Sequence, residues 1–198
     1  MILKASTATH RRAAQATTIA SLALLVAACA QATRETFDLT SDMAGLRSIA
    51  SRGGPPVFVS EPAAVAPTSS DRIVVRAADD SVAVLPGVQW SEPLPLLFQR
   101  RLIEGLQRCG LSASAGMGAQ TRLRTDLRRF EIDIARDLAV IEVSVELIDE
   151  SNGRARAARI FVEETPAPEH IGSQAARALS GAASQVALRI GQWTRARL

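Results

Sequence analysis

The chain has 198 residues and a formal net charge of +3, but Lys4, Arg11 and Arg12 stand among its first 28 residues with no acid beside them. The other 170 residues balance 20 basic against 20 acidic side chains. That neutrality removes the main argument for nucleic-acid binding, which needs a clustered excess of cations, and the length holds one domain with a real core rather than two. At the N-terminus those basic residues precede a weakly apolar stretch from Ala13 to Ala28, ending in small residues, which is the order of an export signal. Gln15, Thr17, Thr18 and Ser21 interrupt the stretch, whereas a membrane-spanning helix wants about 20 predominantly apolar residues.

Leu24-Leu25-Val26-Ala27-Ala28-Cys29 resembles a bacterial lipoprotein signal. The alternative is an ordinary secretory signal with an accidental cysteine, although only the lipoprotein type needs a thiol at the cut. The resemblance implies removal of residues 1–28, a diacylglyceryl group on the Cys29 sulfur and usually a third acyl chain on its amine. Each buried CH₂ group gains about 0.8 kcal/mol, so one chain holds marginally and two or more hold stably. Ala30 stands where an Asp is associated with inner-membrane retention, which implies the periplasmic face of the outer membrane. With Cys29 acylated, Cys109 is the remaining thiol, and an intramolecular disulfide is excluded. Cys109 itself reads as a small core residue near a helix end.

Residues 30–36 are small and polar and read as a tether, with the domain running over 37–198. Thr36 to Thr40 alternates like an edge strand. Ser41 to Pro56 reads as a loop, Val57-Phe58-Val59 as a short strand, and Glu61 to Ser70 as a connector. Arg72–Arg76 and Val82–Leu85 predict a hairpin across Asp79-Asp80-Ser81. Apolar residues from Leu96 to Cys109 recur at three and four residues, predicting a helix from Pro95 that Gly110 stops. Phe130–Ile134, Leu138–Ile148 and Arg154–Glu164 predict an antiparallel meander, its second turn at Asp149–Gly153. From about Pro168 a stripe of Ile171, Ala175, Ala178, Leu179, Ala182, Val186, Ile190 and Trp193 predicts a second helix, whose alanines allow close approach to a neighbour. The expected fold is α+β: a curved antiparallel sheet of about five to six strands with two amphipathic helices packed on one face.

Few residues suggest chemistry. Trp90, ahead of Ser91-Glu92-Pro93, reads either as a packing residue at the helix start or as an exposed anchor for a partner, and Ser91 as the N-cap oxygen. Glu131, Asp133 and Asp137 could pair for acid–base work or Ca²⁺, but their alternation with apolar residues argues for a solvated strand face. Arg122, Arg124, Arg128 and Arg129 face acids such as Glu142 and Glu146 and predict cross-strand ion pairs, with a lipid-headgroup site as the alternative. Beyond residue 28 the one histidine is His170, at the start of the last helix, so any Cys–His or Ser–His–Asp arrangement must use it. No zinc-ligand spacing and no complete nucleotide loop is present, so neither metal nor cofactor is expected.

Asp71-Arg72-Ile73-Val74-Val75-Arg76, then Val88-Gln89-Trp90-Ser91-Glu92-Pro93-Leu94-Pro95, then Leu127-Arg128-Arg129-Phe130-Glu131-Ile132-Asp133 together resemble the ABC-type transport auxiliary lipoprotein family, the PqiC-like family, over roughly Thr36 to Trp193. The resemblance implies a non-enzymatic lipoprotein anchored in the outer membrane. Its partner would be the MCE-domain protein of an inner-membrane ABC transporter for lipids, docked through Trp90, Glu92 and Leu94, with homo-oligomerisation left open. One departure is that the strand ahead of the tryptophan motif often carries a tyrosine in the family, whereas this chain has no Tyr and offers Val84-Leu85. The rival reading is an assembly or pilot factor for another envelope protein. A lipid carrier with its own cavity would need a pocket lined by residues such as Leu97, Phe98 and Leu102, and an enzyme lacks a constellation.

Overall fold

The computed structural model describes residues 34–39, 54–116 and 118–198. Cys29, the start of the tether and nearly all of the expected loop from Ser41 to Pro56 lie outside the described residues. The expected meander forms from β8 (Thr121–Asp133), β9 (Leu138–Asp149) and β10 (Arg154–Pro166), all antiparallel, but β8 begins at Thr121 rather than at Phe130 and ends before Ile134. Its turns are closed by side chains suited to the task. Asp137 takes a positive φ of 54° between β8 and β9, and in the next turn the Asp149 carboxylate accepts the Ser151 N–H at 2.9 Å.

The other edge of β8 is tiled by three short parallel strands in succession: β2 (Pro56–Val59), β3 (Ala63–Ala64) and β4 (Val74–Arg76). The predicted hairpin is β4 with β5 (Val82–Val84), and β7 (Ser112–Ser114) extends the sheet beyond β2. The sheet is therefore mixed rather than wholly antiparallel, with eight strands among the described residues instead of about five or six. Parallel neighbours need a crossover connection, and here β6 (Val88–Trp90) and helix α1 (Leu94–Arg108) supply it between β4 and β8. A separate two-stranded sheet joins β1 (Glu35–Phe37) to β6 in parallel.

One residue of slack keeps β8 amphipathic along its whole length. Leu123 and Leu127 face the helices at odd positions, whereas Phe130 and Ile132 do so at even ones, and all four are buried. A β-bulge between Leu127 and Arg129 absorbs the change of parity, because one extra residue moves every later side chain to the other face.

Both helices cover the inner face. From α1 come Leu94, Leu97, Phe98, Leu102 and Leu106, and from α2 (Gly172–Arg195) come Ala175, Leu179, Ala182, Val186 and Ile190, all buried. Burial of each Leu, Val or Ile side chain stabilises by about 1.5–3 kcal/mol. Ile171 belongs to neither helix nor core, being 70% exposed ahead of α2, so the apolar stripe begins at Ala175. The helices cross where side chains are smallest. A Cβ on Gly105 would lie 2.7 Å from the Ala187 backbone, and one on Gly191 would lie 2.8 Å from Cys109 Sγ and from Gly105 O.

Candidate functional site

The tryptophan motif lies where the short sheet meets α1. Trp90 donates its backbone N–H to Asp71 O at 2.7 Å, Ser91 donates to Phe37 O at 2.7 Å, and Leu94 donates to Ser70 O at 3.0 Å. The last bond occupies the first N–H of α1, and the position before the helix is Pro93 with no side-chain cap, so the capping role expected of Ser91 is taken by backbone. The Trp90 ring is buried edge-on to Phe130, with centroids 5.9 Å apart, and Phe130 meets Phe98 of α1 in the same manner at 6.1 Å. Its indole N–H is buried without an acceptor among the described residues. Such an omission costs about 1–3 kcal/mol, offset by burial of a large ring. Of the three residues expected to meet a partner, Trp90 and Leu94 are 1% and 0% exposed, so both serve the core. Glu92 alone stands at the surface, 2.9 Å from Arg100.

Glu131 and Asp133 depart further from expectation. Both lie on the outer face of β8, but they are 4% and 7% exposed rather than solvated, because arginines from neighbouring segments roof them. Arg76 of β4 grips Glu131 with two bonds, Nε to Oε1 at 2.7 Å and NH2 to Oε2 at 3.1 Å, and Arg129 Nε donates to the same Oε1 at 2.7 Å. Arg136, in the turn after β8, donates to Asp133 at 2.9 Å and to Glu164 of β10 at 2.8 Å. Burial alone would raise the Asp133 carboxyl, but the hydrogen bonds and charge of Arg136, with the charge of Arg129, outweigh it and hold the group below the ordinary carboxylate range. A carboxylate kept ionised in this way cannot act as a general acid. The chain thus uses these groups to fasten β4, β8 and β10 together.

Farther along the same face, three of the four arginines pair with acids of the neighbouring segment: Arg124 with Glu146 and Arg128 with Glu142 at 3.6 Å across to β9, and Arg122 with Glu150 at 2.8 Å in the turn after it. Arg129 turns instead to Glu131 and Asp133 of its own strand. An open groove of about 370 Å³ runs between Arg124, Asp126, Arg128 and Glu146, with Ala63 and Ser144 beside them. Its two cations face two anions, so it lacks the excess positive charge that a phosphate headgroup requires. Leu97, Phe98 and Leu102, which would line a lipid cavity, are at most 1% exposed within the packed core.

Cys109 and His170 are far apart. The thiol sits against Leu188 O at 3.7 Å and is pushed up by burial, which makes it a poor nucleophile. His170 precedes α2, with Nε2 2.7 Å from Asp137 Oδ1, and roughly 24 Å of helix rise separates the start of α2 from Leu188. Among the described residues no group of three His, Cys, Asp or Glu could hold a metal, and no helix is long and apolar enough to cross a membrane.

The model of the ABC-type transport auxiliary lipoprotein component matches residues 37–191. The chain belongs to this family. Its members are lipoproteins auxiliary to ABC-type transport, so family membership implies association with a transporter and a membrane-anchored place in the cell envelope; it is not an enzyme family. No curated protein matches the chain. Among solved structures, a protein of Xanthomonas campestris is similar at 24% identity and a TM-score of 0.67, with 83% of this chain and 92% of that one covered. An uncharacterized protein is similar at 16% identity and the same TM-score of 0.67, covering 82% of this chain and 99% of that one. At such identities the likeness concerns the fold.

Proposed function

We propose that this family member is the outer-membrane-anchored, non-enzymatic auxiliary component of an MCE-type ABC lipid transport system. Acyl chains on Cys29 hold it at the periplasmic face, the tether over residues 30–34, ahead of β1, sets its reach, and the domain docks the distal end of a periplasmic conduit. Family membership over residues 37–191 is the observation that carries this reading. The packed core and the arginine-bound carboxylates support it, since they leave no lipid cavity and no acid–base pair among the described residues. Of the three residues expected to dock, Trp90 and Leu94 are buried, so that contact falls to Glu92 and its exposed neighbours Ser91 and Pro93.

Replacing Cys29 with Ala should release the protein from outer-membrane fractions into the soluble periplasm. Affinity purification of the wild type from solubilised envelopes should bring down an MCE-domain protein. Recovery of a barrel or a secretin instead would favour the assembly-factor reading, and an unacylated N-terminus by mass spectrometry would remove the anchor.

A further inference from the structure

The longest free edge of the main sheet among the described residues is β10, a strand of 13 residues paired only to β9. Long exposed edges are usually blunted, because unpaired backbone groups recruit another strand. This edge carries apolar side chains at its middle: Ile160 is 50% exposed and Val162 is 44% exposed. Their backbone neighbours are charged, with Arg159 on one side and Glu163 on the other. We propose that β10 pairs antiparallel with β10 of a second copy, about a two-fold axis through Phe161, to form one sheet continuous across the dimer.

Both faces of the strand fit that register and no rearrangement of β10 is needed. An axis at Phe161 sets Ile160 opposite Val162 and Arg159 opposite Glu163, each twice by symmetry. Residues of equal parity oppose one another, so the apolar pair falls on the outer face and the ion pair on the inner face beside α2. Like charges would oppose in a parallel, in-register pairing, with Arg159 on Arg159 and Glu163 on Glu163, which disfavours that arrangement. In the single chain, Arg189 of α2 donates to Val162 O at 2.8 Å and to Glu163 at 2.7 Å, while Arg159 lies over the Phe161 ring at 5.0 Å. A carbonyl oxygen has two lone pairs, so Val162 O keeps one for a neighbouring strand. The second copy brings its Arg159 to that same Glu163. This pairing requires nothing of a transporter.

The test uses the full chain, with Arg159→Glu and Glu163→Arg made separately, and reads mass by sedimentation equilibrium in density-matched detergent. Wild type should sediment at twice the chain mass. Each variant alone opposes like charges at both symmetric positions and should fall to the mass of a single chain. An equimolar mixture should regain the doubled mass, because the two substituted positions then face each other with opposite charges and the remaining pair is the native Arg159 with Glu163. Thermal melts followed by circular dichroism confirm that each variant is folded before mixing. A wild type of single mass, variants whose mass does not fall, or a mixture that stays monomeric would each overturn the pairing.

Discussion

Glu131 accepts hydrogen bonds from two guanidinium groups while almost no water reaches it. Glu131→Gln removes the charge and leaves Arg76 and Arg129 facing a neutral amide, so the variant should be less stable by about 3 kcal/mol in urea unfolding. Asp133 has a folded pKa held below its unfolded value, and Asp149 is drawn down to about 2 by Ser151 and Arg156. Groups of this kind contribute stability above the ordinary carboxylate pKa and lose it as pH falls through the folded value. The unfolding midpoint should therefore drop steeply as pH falls from about 4 toward 2, and Asp133→Asn should flatten part of that drop. Alternation with Phe130 and Ile132 already places the two carboxylates on one face. What alternation does not reveal is the roof over them, because Arg76 and Arg136 come from another strand and from a turn.

Helix α1 and helix α2 approach closely enough that backbone meets backbone at Gly105. Gly105→Ala gains helix propensity, but its methyl group would press on the Ala187 backbone, which cannot rotate away. Overpacking of this sort costs about 1–3 kcal/mol, so the variant should show a lowered thermal midpoint rather than the gain expected at an exposed helix site. The alanine-rich stripe in the second helix is a readable sign of this closeness, and both helices and the meander are readable too, because each repeats its pattern over many residues. Two-residue β3 and three-residue β7 are too short to show any period, and their pairing depends on what lies at a distance in sequence, β8 for one and β2 for the other. The bulge in β8 is written in the change from odd to even apolar positions between Leu127 and Phe130.

At the scale of the molecule, an evenly charged domain whose ionic groups mostly satisfy one another suits a part that is held in position by lipid. The tryptophan motif is legible as a landmark for the family but not as buried, since a Trp before a helix packs inward or faces a partner with the same sequence. Detachment of Cys29→Ala tests the anchor itself. The pairing of β1 with β6 sets how short the leash is. The first strand begins at Glu35, where the backbone N–H is already committed to Gly87 O at 2.8 Å. If Cys29 carries the proposed acyl chains, the chain from it to Glu35 spans at most about 20 Å even when fully drawn out. Thermal tumbling would then keep the domain brushing the headgroups, and whatever it grasps must come to the bilayer to be reached.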